Sequence, residues 1–162
     1  MKVALIGYGQ MGKTIEKILL ERNHQVVATF GSKGIDIEKL KLADVAIEFT
    51  VPEVAYTNLQ ICANNGIPVV CGTTGWLDHY DEIANKYTSN GASFIYASNF
   101  SLGVNIFFEI NKKLARIMDA YPQYNISMKE IHHTRKLDAP SGTAISLAED
   151  LLAEVKRKEK WA

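Results

Sequence analysis

The sequence contains little cysteine, no surplus of charge and no long apolar run. Its only cysteines, Cys62 and Cys71, lack Cys-x-x-Cys spacing, which predicts reduced thiols and a cytoplasmic location. The 18 basic side chains balance the 18 acidic ones, so a nucleic-acid partner is not expected, because neutralising a phosphate backbone requires clustered Lys and Arg. No apolar run approaches the roughly 20 residues of a membrane helix, and no signal segment precedes the first apolar run. Membrane association is therefore not expected either.

Short apolar runs alternate with helical patterns over residues 1–97. Parallel strands need crossover connections, and runs that are apolar throughout are typical of strands covered on both faces. The pattern therefore predicts an α/β fold with a Rossmann-like, doubly wound parallel sheet. The predicted strands are Lys2–Gly7, His24–Phe30, Asp44–Thr50, Ile67–Cys71 and Ala92–Ala97.

The later part of the chain has a different pattern. An amphipathic helix is predicted over Gly103–Ala120, an alternating strand over Tyr124–Ile131, and a final helix from about Gly142 to Lys156. We expect a dinucleotide-binding domain over residues 1–123. Residues 124–162 are predicted to begin a mixed α+β substrate-binding and catalytic domain.

A glycine-rich turn joins the first predicted strand to the first predicted helix. Its residues form the G-x-G-x-x-G pattern: Gly7, Tyr8, Gly9, Gln10, Met11 and Gly12. The first glycine permits a tight turn, the second allows the backbone to approach a pyrophosphate, and the third lets helix and strand pack closely. The N–H groups at the helix N-terminus favour an anion. The turn predicts a dinucleotide site, with a purely structural turn as the alternative.

The end of the second strand bears on cofactor preference. The dinucleotide fingerprint expects an acid there to bind the ribose, but this chain has Ser32 and Lys33. Without a carboxylate, a 2′-phosphate is not repelled, so NADPH is an expected ligand beside NADH. The alternative is that Lys33 is a solvated loop charge.

A polar block of thirteen residues, from His132 to Ala144, combines histidines, cations and a helix start. Histidine suits proton transfer near neutral pH, and Lys136 is placed to stabilise an anion. Ser141 is a candidate N-cap, after which the N–H groups of Gly142 and Thr143 would face a carboxylate. A metal site of His132, His133 and Asp138 is the less favoured alternative, because adjacent residues of an extended chain point to opposite faces.

Four blocks of the sequence resemble the 4-hydroxy-tetrahydrodipicolinate (dihydrodipicolinate) reductase family of lysine and diaminopimelate synthesis. They are Gly7–Gly12; Glu48–Thr50; Cys71–Gly75 with Ser98–Asn105; and Glu130–His133 with Lys136 and Asp138–Ala144. The resemblance covers essentially the whole chain. It implies an NADH- or NADPH-dependent enzyme that reduces a small cyclic dicarboxylate, with no metal.

The resemblance also implies a role for individual residues. His132 would be the general acid, Lys136 would stabilise developing charge, and His133, Ser141, Gly142 and Thr143 would bind substrate. The dinucleotide would contact the glycine turn and further residues of the first predicted domain. These further residues are Phe49, Thr50, Gly72, Thr73, Thr74, Ala97, Asn99 and Phe100.

Two departures from the family pattern qualify the resemblance. Many relatives have a longer glycine turn and an acid after the second strand, so the cofactor preference stays open between NADH and NADPH. The family pattern also continues beyond residue 162 with further strands, so we expect a C-terminally truncated member, whose full-length form would be a tetramer. A non-catalytic dinucleotide sensor and an inactive fragment are the alternatives; the His-His-x-x-Lys block favours the enzyme.

Overall fold

A computed structural model describes residues 1–132, 134 and 139–161. By their contacts, these residues fall into two compact units, Met1–Ala97 and Ser98–Ala162. The sequence-based boundary lies later, between residues 123 and 124, because it assigns the helix after residue 101 to the first domain. In the structure this helix packs on the last helix of the second unit. As a boundary between functional domains, 123/124 stays a prediction.

The first unit alternates strands and helices. Its elements are β1 Lys2–Ile6, α1 Gln10–Glu21, β2 Gln25–Phe30, α2 Ile37–Leu40, β3 Val45–Glu48, α3 Pro52–Asn64, β4 Val69–Cys71, a 3-10 turn Leu77–His79, α4 Tyr80–Ser89 and β5 Phe94–Tyr96. All five predicted strands are present. Proline at the first position of α3 suits a helix start, because its missing N–H would have no helical partner there.

The five strands form one sheet in the order β2-β1-β3-β4-β5, and every neighbouring pair is parallel. The predicted parallel, doubly wound sheet is thereby confirmed. Strand β1 is buried on both faces: Ala4 and Ile6 belong to the larger core on one face, and Val3 and Leu5 pack with Leu19 of α1 on the other. Burial on both faces explains why the strands are apolar throughout.

The strand order reverses direction at β1. The chain leaves β1 through α1 toward β2 on one side, and it leaves β3 through α3 toward β4 on the other. In open parallel sheets, ligands bind at such a switch point, beyond the carboxyl ends of the strands. The residues that follow β1 and β3, beginning at Gly7 and Phe49, therefore occupy the position where a ligand is expected.

The second unit contains two helices among its described residues, α5 Leu102–Asp119 and α6 Gly142–Glu154. They are joined by a hydrogen bond from the Asn111 amide to the Leu147 carbonyl (3.0 Å) and by an ion pair between Arg116 and Glu154 (2.7 Å). The strand predicted over Tyr124–Ile131 is wrong, since this segment has no regular structure. A strand needs a hydrogen-bonded neighbour, and no described residue of this unit forms one.

Candidate functional site

The three glycines of the turn have different surroundings. Gly7 has a φ of +95°, and a Cβ there would lie 1.9 Å from the Phe49 carbonyl oxygen. A Cβ on Gly12 would lie 2.2 Å from the Gly7 carbonyl oxygen, whereas a Cβ on Gly9 would meet nothing within 4 Å. The fold therefore requires the first and third glycines. The second faces open space, where the motif predicts that a pyrophosphate binds.

A cavity of about 600 Å³ lies at the carboxyl ends of β1, β2 and β3. Six residues predicted to contact the dinucleotide line it: Gly7, Tyr8, Gly9, Ser32, Phe49 and Thr50. Helix α1 begins beside it at Gln10, after the N-cap Gly9, with no side chain capping its first turn and no acid in that turn. The partial positive charge of the helix N-terminus is thus available to an anion. Gln10 and Met11, also predicted to bind, form the exposed start of this helix.

Lys33 does not line this cavity. It lines a neighbouring cavity of about 540 Å³ together with Ser32, Asp36 and Lys39. Lys39 is paired with Asp36 at 3.5 Å, whereas Lys33 is exposed and has no ion-pair partner among the described residues. Of these two cations, Lys33 is the one available to a phosphate group.

A buried carboxylate supports the loops beneath the cavity. Glu48, at the end of β3, is fully buried and accepts hydrogen bonds from the Thr50 hydroxyl, the Asn58 amide (3.4 Å) and the Cys71 thiol (3.2 Å). Burial, reinforced by the Glu48 charge, raises the pKa of the Cys62 thiol to about 12 and that of Cys71 further. Both thiols therefore stay protonated near neutral pH. The sequence predicted no role for Glu48, although an acid inside an apolar strand is a usable signal of a buried polar network.

The loop after β4 is held against the end of β3. The Thr50 N–H donates to the Thr73 hydroxyl (2.8 Å), and the Trp76 indole N–H donates to the Thr73 carbonyl (2.7 Å). A Cβ on Gly72 would lie 2.2 Å from two ring carbons of Phe49, so any larger residue would require the Phe49 side chain to move. The structure thus brings together Phe49, Thr50, Gly72 and Thr73, four predicted cofactor residues.

The remaining predicted cofactor residues are distributed over both units. Thr74 is exposed in the same loop, and the Ala97 N–H donates to the Cys71 carbonyl (3.3 Å) at the end of the first unit. Asn99 and Phe100 belong to the second unit. There the Asn99 side chain accepts from the Ser101 N–H (2.8 Å), just before Ser101 caps α5.

The second predicted site lies at the start of α6. The His132 Nε2 is 2.8 Å from Glu130 Oε2, and Glu130 Oε1 accepts from the Ser141 N–H (2.9 Å). Hydrogen bonds from Ser141, with a smaller contribution from His132, hold the pKa of the Glu130 carboxyl below its usual range. Glu130 is therefore an anion at neutral pH. Sequence reasoning assigned it no role.

The N-terminus of helix α6 presents backbone N–H donors. The buried Ser141 is its N-cap, and the Ser141 hydroxyl accepts from the Ala144 N–H at 3.1 Å. Since Glu130 occupies the Ser141 N–H, the N–H groups of Gly142 and Thr143 are left without a partner among the described residues. Two adjacent N–H groups match the two oxygens of one carboxylate.

Three residues of the predicted block, His133, Lys136 and Asp138, lie outside the described residues. Within residues 1–132, 134 and 139–161, no three His, Cys, Asp or Glu side chains are grouped so that they could hold a metal ion. No helix in this part of the chain has the length and apolar character needed to cross a membrane.

Comparison with known proteins gives consistent matches for both units. Residues 1–100 match the family model described as dihydrodipicolinate reductase, N-terminus, and residues 103–161 match its C-terminus counterpart. A 4-hydroxy-tetrahydrodipicolinate reductase of Christiangramia forsetii is 48% identical over 99% of this chain, which spans 68% of that protein.

Solved structures show the same likeness. A dipicolinate-bound dihydrodipicolinate reductase from Paenisporosarcina sp. TG-14 is 26% identical with a TM-score of 0.73; the match covers all of this chain and 69% of that one. The yvaA protein from Bacillus subtilis is 13% identical with a TM-score of 0.59, and the match covers 94% of this chain and 51% of that one. The second likeness concerns the fold alone.

Proposed function

This chain belongs to the dihydrodipicolinate reductase family of NAD(P)H-dependent oxidoreductases, and from that premise we propose which of its residues carry out the reduction. The substrate of the family is a small cyclic dicarboxylate. One observation carries the proposal: His132 is joined through Glu130 to Ser141, the cap of α6. The ring of the proposed proton donor is thereby linked to the start of α6, where the N–H groups of Gly142 and Thr143 have no partner among the described residues and would fit a carboxylate.

The glycine turn and its surroundings fit a dinucleotide. The open space at Gly9 admits a pyrophosphate, and the uncapped start of α1 favours its charge. Phe49, Thr50 and the Gly72 to Thr74 loop would hold the nicotinamide end, with Ala97, Asn99 and Phe100 completing the contacts. When bound, the reduced dinucleotide supplies the hydride.

The chain's own residues would bind the substrate and move the proton. The N–H groups of Gly142 and Thr143 would bind one substrate carboxylate, and His133 would contribute to substrate binding. His132 would donate a proton to the carbon that carries the electron pair after hydride addition. Lys136 would stabilise the negative charge that develops before the proton arrives.

Titration and turnover test the proposed function together. Isothermal titration with NADPH and NADH should give saturable binding, and the absorbance of the reduced dinucleotide should fall when the cyclic substrate is added. Binding without turnover would favour the dinucleotide sensor over the reductase. Absence of binding to either dinucleotide would contradict the assignment of the glycine turn.

Lys33 is expected to favour the phosphorylated dinucleotide. In Lys33→Ala, affinity for NADPH should fall by up to about fivefold and affinity for NADH should stay constant, since an exposed ion pair contributes at most about 1 kcal/mol. Added salt should reduce the preference in the unaltered chain. Titration of each variant checks this.

The matched control for the loss of one positive charge is Lys17→Ala on α1, whose side chain is 78% exposed and pairs with Glu21 within its own helix. This change should leave both affinities as they are. The contrary result would be that NADH binds at least tenfold more tightly than NADPH and that this preference is the same in Lys33→Ala. It would show that Lys33 is only a solvated loop charge.

We also propose a homo-oligomeric assembly and a cytoplasmic location. The assembly, expected to be a tetramer in the full-length form, rests on the family resemblance. The location rests on the two buried, unpaired thiols of Cys62 and Cys71, which are typical of a reducing compartment.

A further inference from the structure

The carboxylate of Glu130 joins two parts of the proposed site. One of its oxygens lies 2.8 Å from His132 Nε2, and the other accepts from the Ser141 N–H at 2.9 Å. Both contacts are held at once, so the orientation of the carboxylate is fixed at two points. Glu130 is therefore connected to the proton donor and to the start of α6 together.

The contact determines which nitrogen of His132 carries the proton in the neutral ring. An ionised carboxylate can only accept hydrogen bonds, and Glu130 is ionised because its pKa lies below the usual range. The Nε2 atom must then be the donor. In the neutral ring Nδ1 has no proton, and in the protonated ring Nδ1 carries the proton that is free to leave.

The second contact ties the ring to the carboxylate-binding end of α6. Ser141 is only 6% exposed and its hydroxyl caps the helix, so its backbone is a rigid support. By taking up the Ser141 N–H, Glu130 leaves Gly142 and Thr143 as the donors for substrate. A histidine held by such a carboxylate keeps one orientation and one tautomer, as metal-bound histidines do with their own carboxylate partners.

We propose that Glu130 is a positioning residue of the reduction, a role that rests on the proposed function of His132 as the acid. It holds the Nε2–H form of the ring, so that Nδ1 delivers the proton. In that step the Nδ1–H bond breaks and a C–H bond forms at the substrate carbon that gained an electron pair from hydride addition. The ring becomes neutral, keeps its Nε2–H on Glu130, and regains a proton at Nδ1 from water.

The test compares Glu130→Gln with Glu149→Gln. The glutamine at position 130 keeps the size of the side chain, and its carbonyl can still accept from Ser141, but it carries no charge toward His132. We expect kcat to fall by about 10- to 100-fold, by analogy with the loss when the hydrogen-bonding partner of a metal-bound histidine is changed. KM and the dinucleotide affinity should change by less than about twofold, since the substrate-facing N–H groups remain. Glu149, exposed on α6, loses the same charge and should leave kcat unaltered.

Long-range ¹H–¹⁵N spectra of the histidine rings give a readout independent of activity. The chain has only four histidines, so single substitutions assign them. The neutral ring of His132 should be protonated at Nε2 in the unaltered protein and should become a mixture of tautomers in Glu130→Gln. A ring protonated at Nδ1 in the unaltered protein would overturn the proposal.

The two measurements separate this proposal from the proposed function. A fall in kcat with an unaltered tautomer would also overturn it, because Glu130 would then act by another route. If neither the unaltered protein nor its variants turn over substrate, the proposed function fails. The tautomer of His132 then decides alone whether Glu130 holds the ring. If Glu130→Gln does not fold, the tautomer in the unaltered protein decides in the same way.

Discussion

Replacing His132 with alanine should lower kcat by about 10²- to 10⁴-fold, the usual contribution of a general acid. KM should change much less, because the proposed carboxylate donors are backbone N–H groups of α6, which His132→Ala leaves in place. The fall in kcat is expected to be larger than that in Glu130→Gln. The alanine variant lacks the proton donor, whereas the glutamine variant keeps the His132 ring and removes only the charge of its carboxylate partner. Steady-state kinetics at saturating dinucleotide provide the measurement.

His24→Ala is the matched control for this change. His24 lies in the first unit, where its ring contacts the terminal amino group of Met1, and its loss should not affect kcat. If His132→Ala retained full activity while His133→Ala abolished it, the roles of the two residues would have to be exchanged. Full activity in both variants would mean that water or another side chain supplies the proton.

Replacing Gly7 with alanine should destabilise the first unit by about 3 kcal/mol or more, because the backbone conformation is strained for alanine and the new methyl group overlaps a carbonyl. The φ of +95° and the 1.9 Å approach to the Phe49 oxygen act together, and neither can relax without moving the end of β3. Urea denaturation measures the loss in free energy of unfolding. Dinucleotide binding should be lost with the folded turn.

Gly9→Ala is the matched comparison within the same motif. Nothing lies within 4 Å of its Cβ position, so the free energy of unfolding should fall by no more than about 1 kcal/mol. Affinity for NADPH should nevertheless drop by about tenfold or more, because the methyl group would occupy the approach of the pyrophosphate. If the affinity for NADPH were unchanged in Gly9→Ala, the pyrophosphate would not bind at this turn.

The sheet could be predicted from the sequence because its signals are local. Each strand is a short apolar run that ends near a polar residue or glycine, and burial on both faces makes such runs conspicuous. Helix α2 was missed because four residues are too few to show a period. Its signal is the side chain of Asp36, which accepts from the Glu38 N–H at 3.1 Å as a helix cap.

The polar contacts of the candidate site depend on pairs far apart in the sequence. Glu48 meets Cys71 across 23 positions, and Glu130 meets the Ser141 N–H across 11 positions. Periodicity and spacing carry no information on such pairs, so both acids were left without a role. The strand predicted over Tyr124–Ile131 failed for a related reason, because alternation gives a segment one apolar face but does not supply a neighbouring strand.

The contact between Gly72 and the Phe49 ring constrains the order in which this sequence can change over evolutionary time. A larger residue at position 72 would overlap the ring, so it requires that the Phe49 side chain move or that position 49 first acquire a smaller side chain. If position 72 changes first, the Phe49 ring must leave its place in the wall of the cavity at the ends of β1, β2 and β3. Descendants that carry a side chain at position 72 should therefore carry a smaller or repositioned side chain at position 49, whereas a smaller residue at position 49 can occur beside glycine.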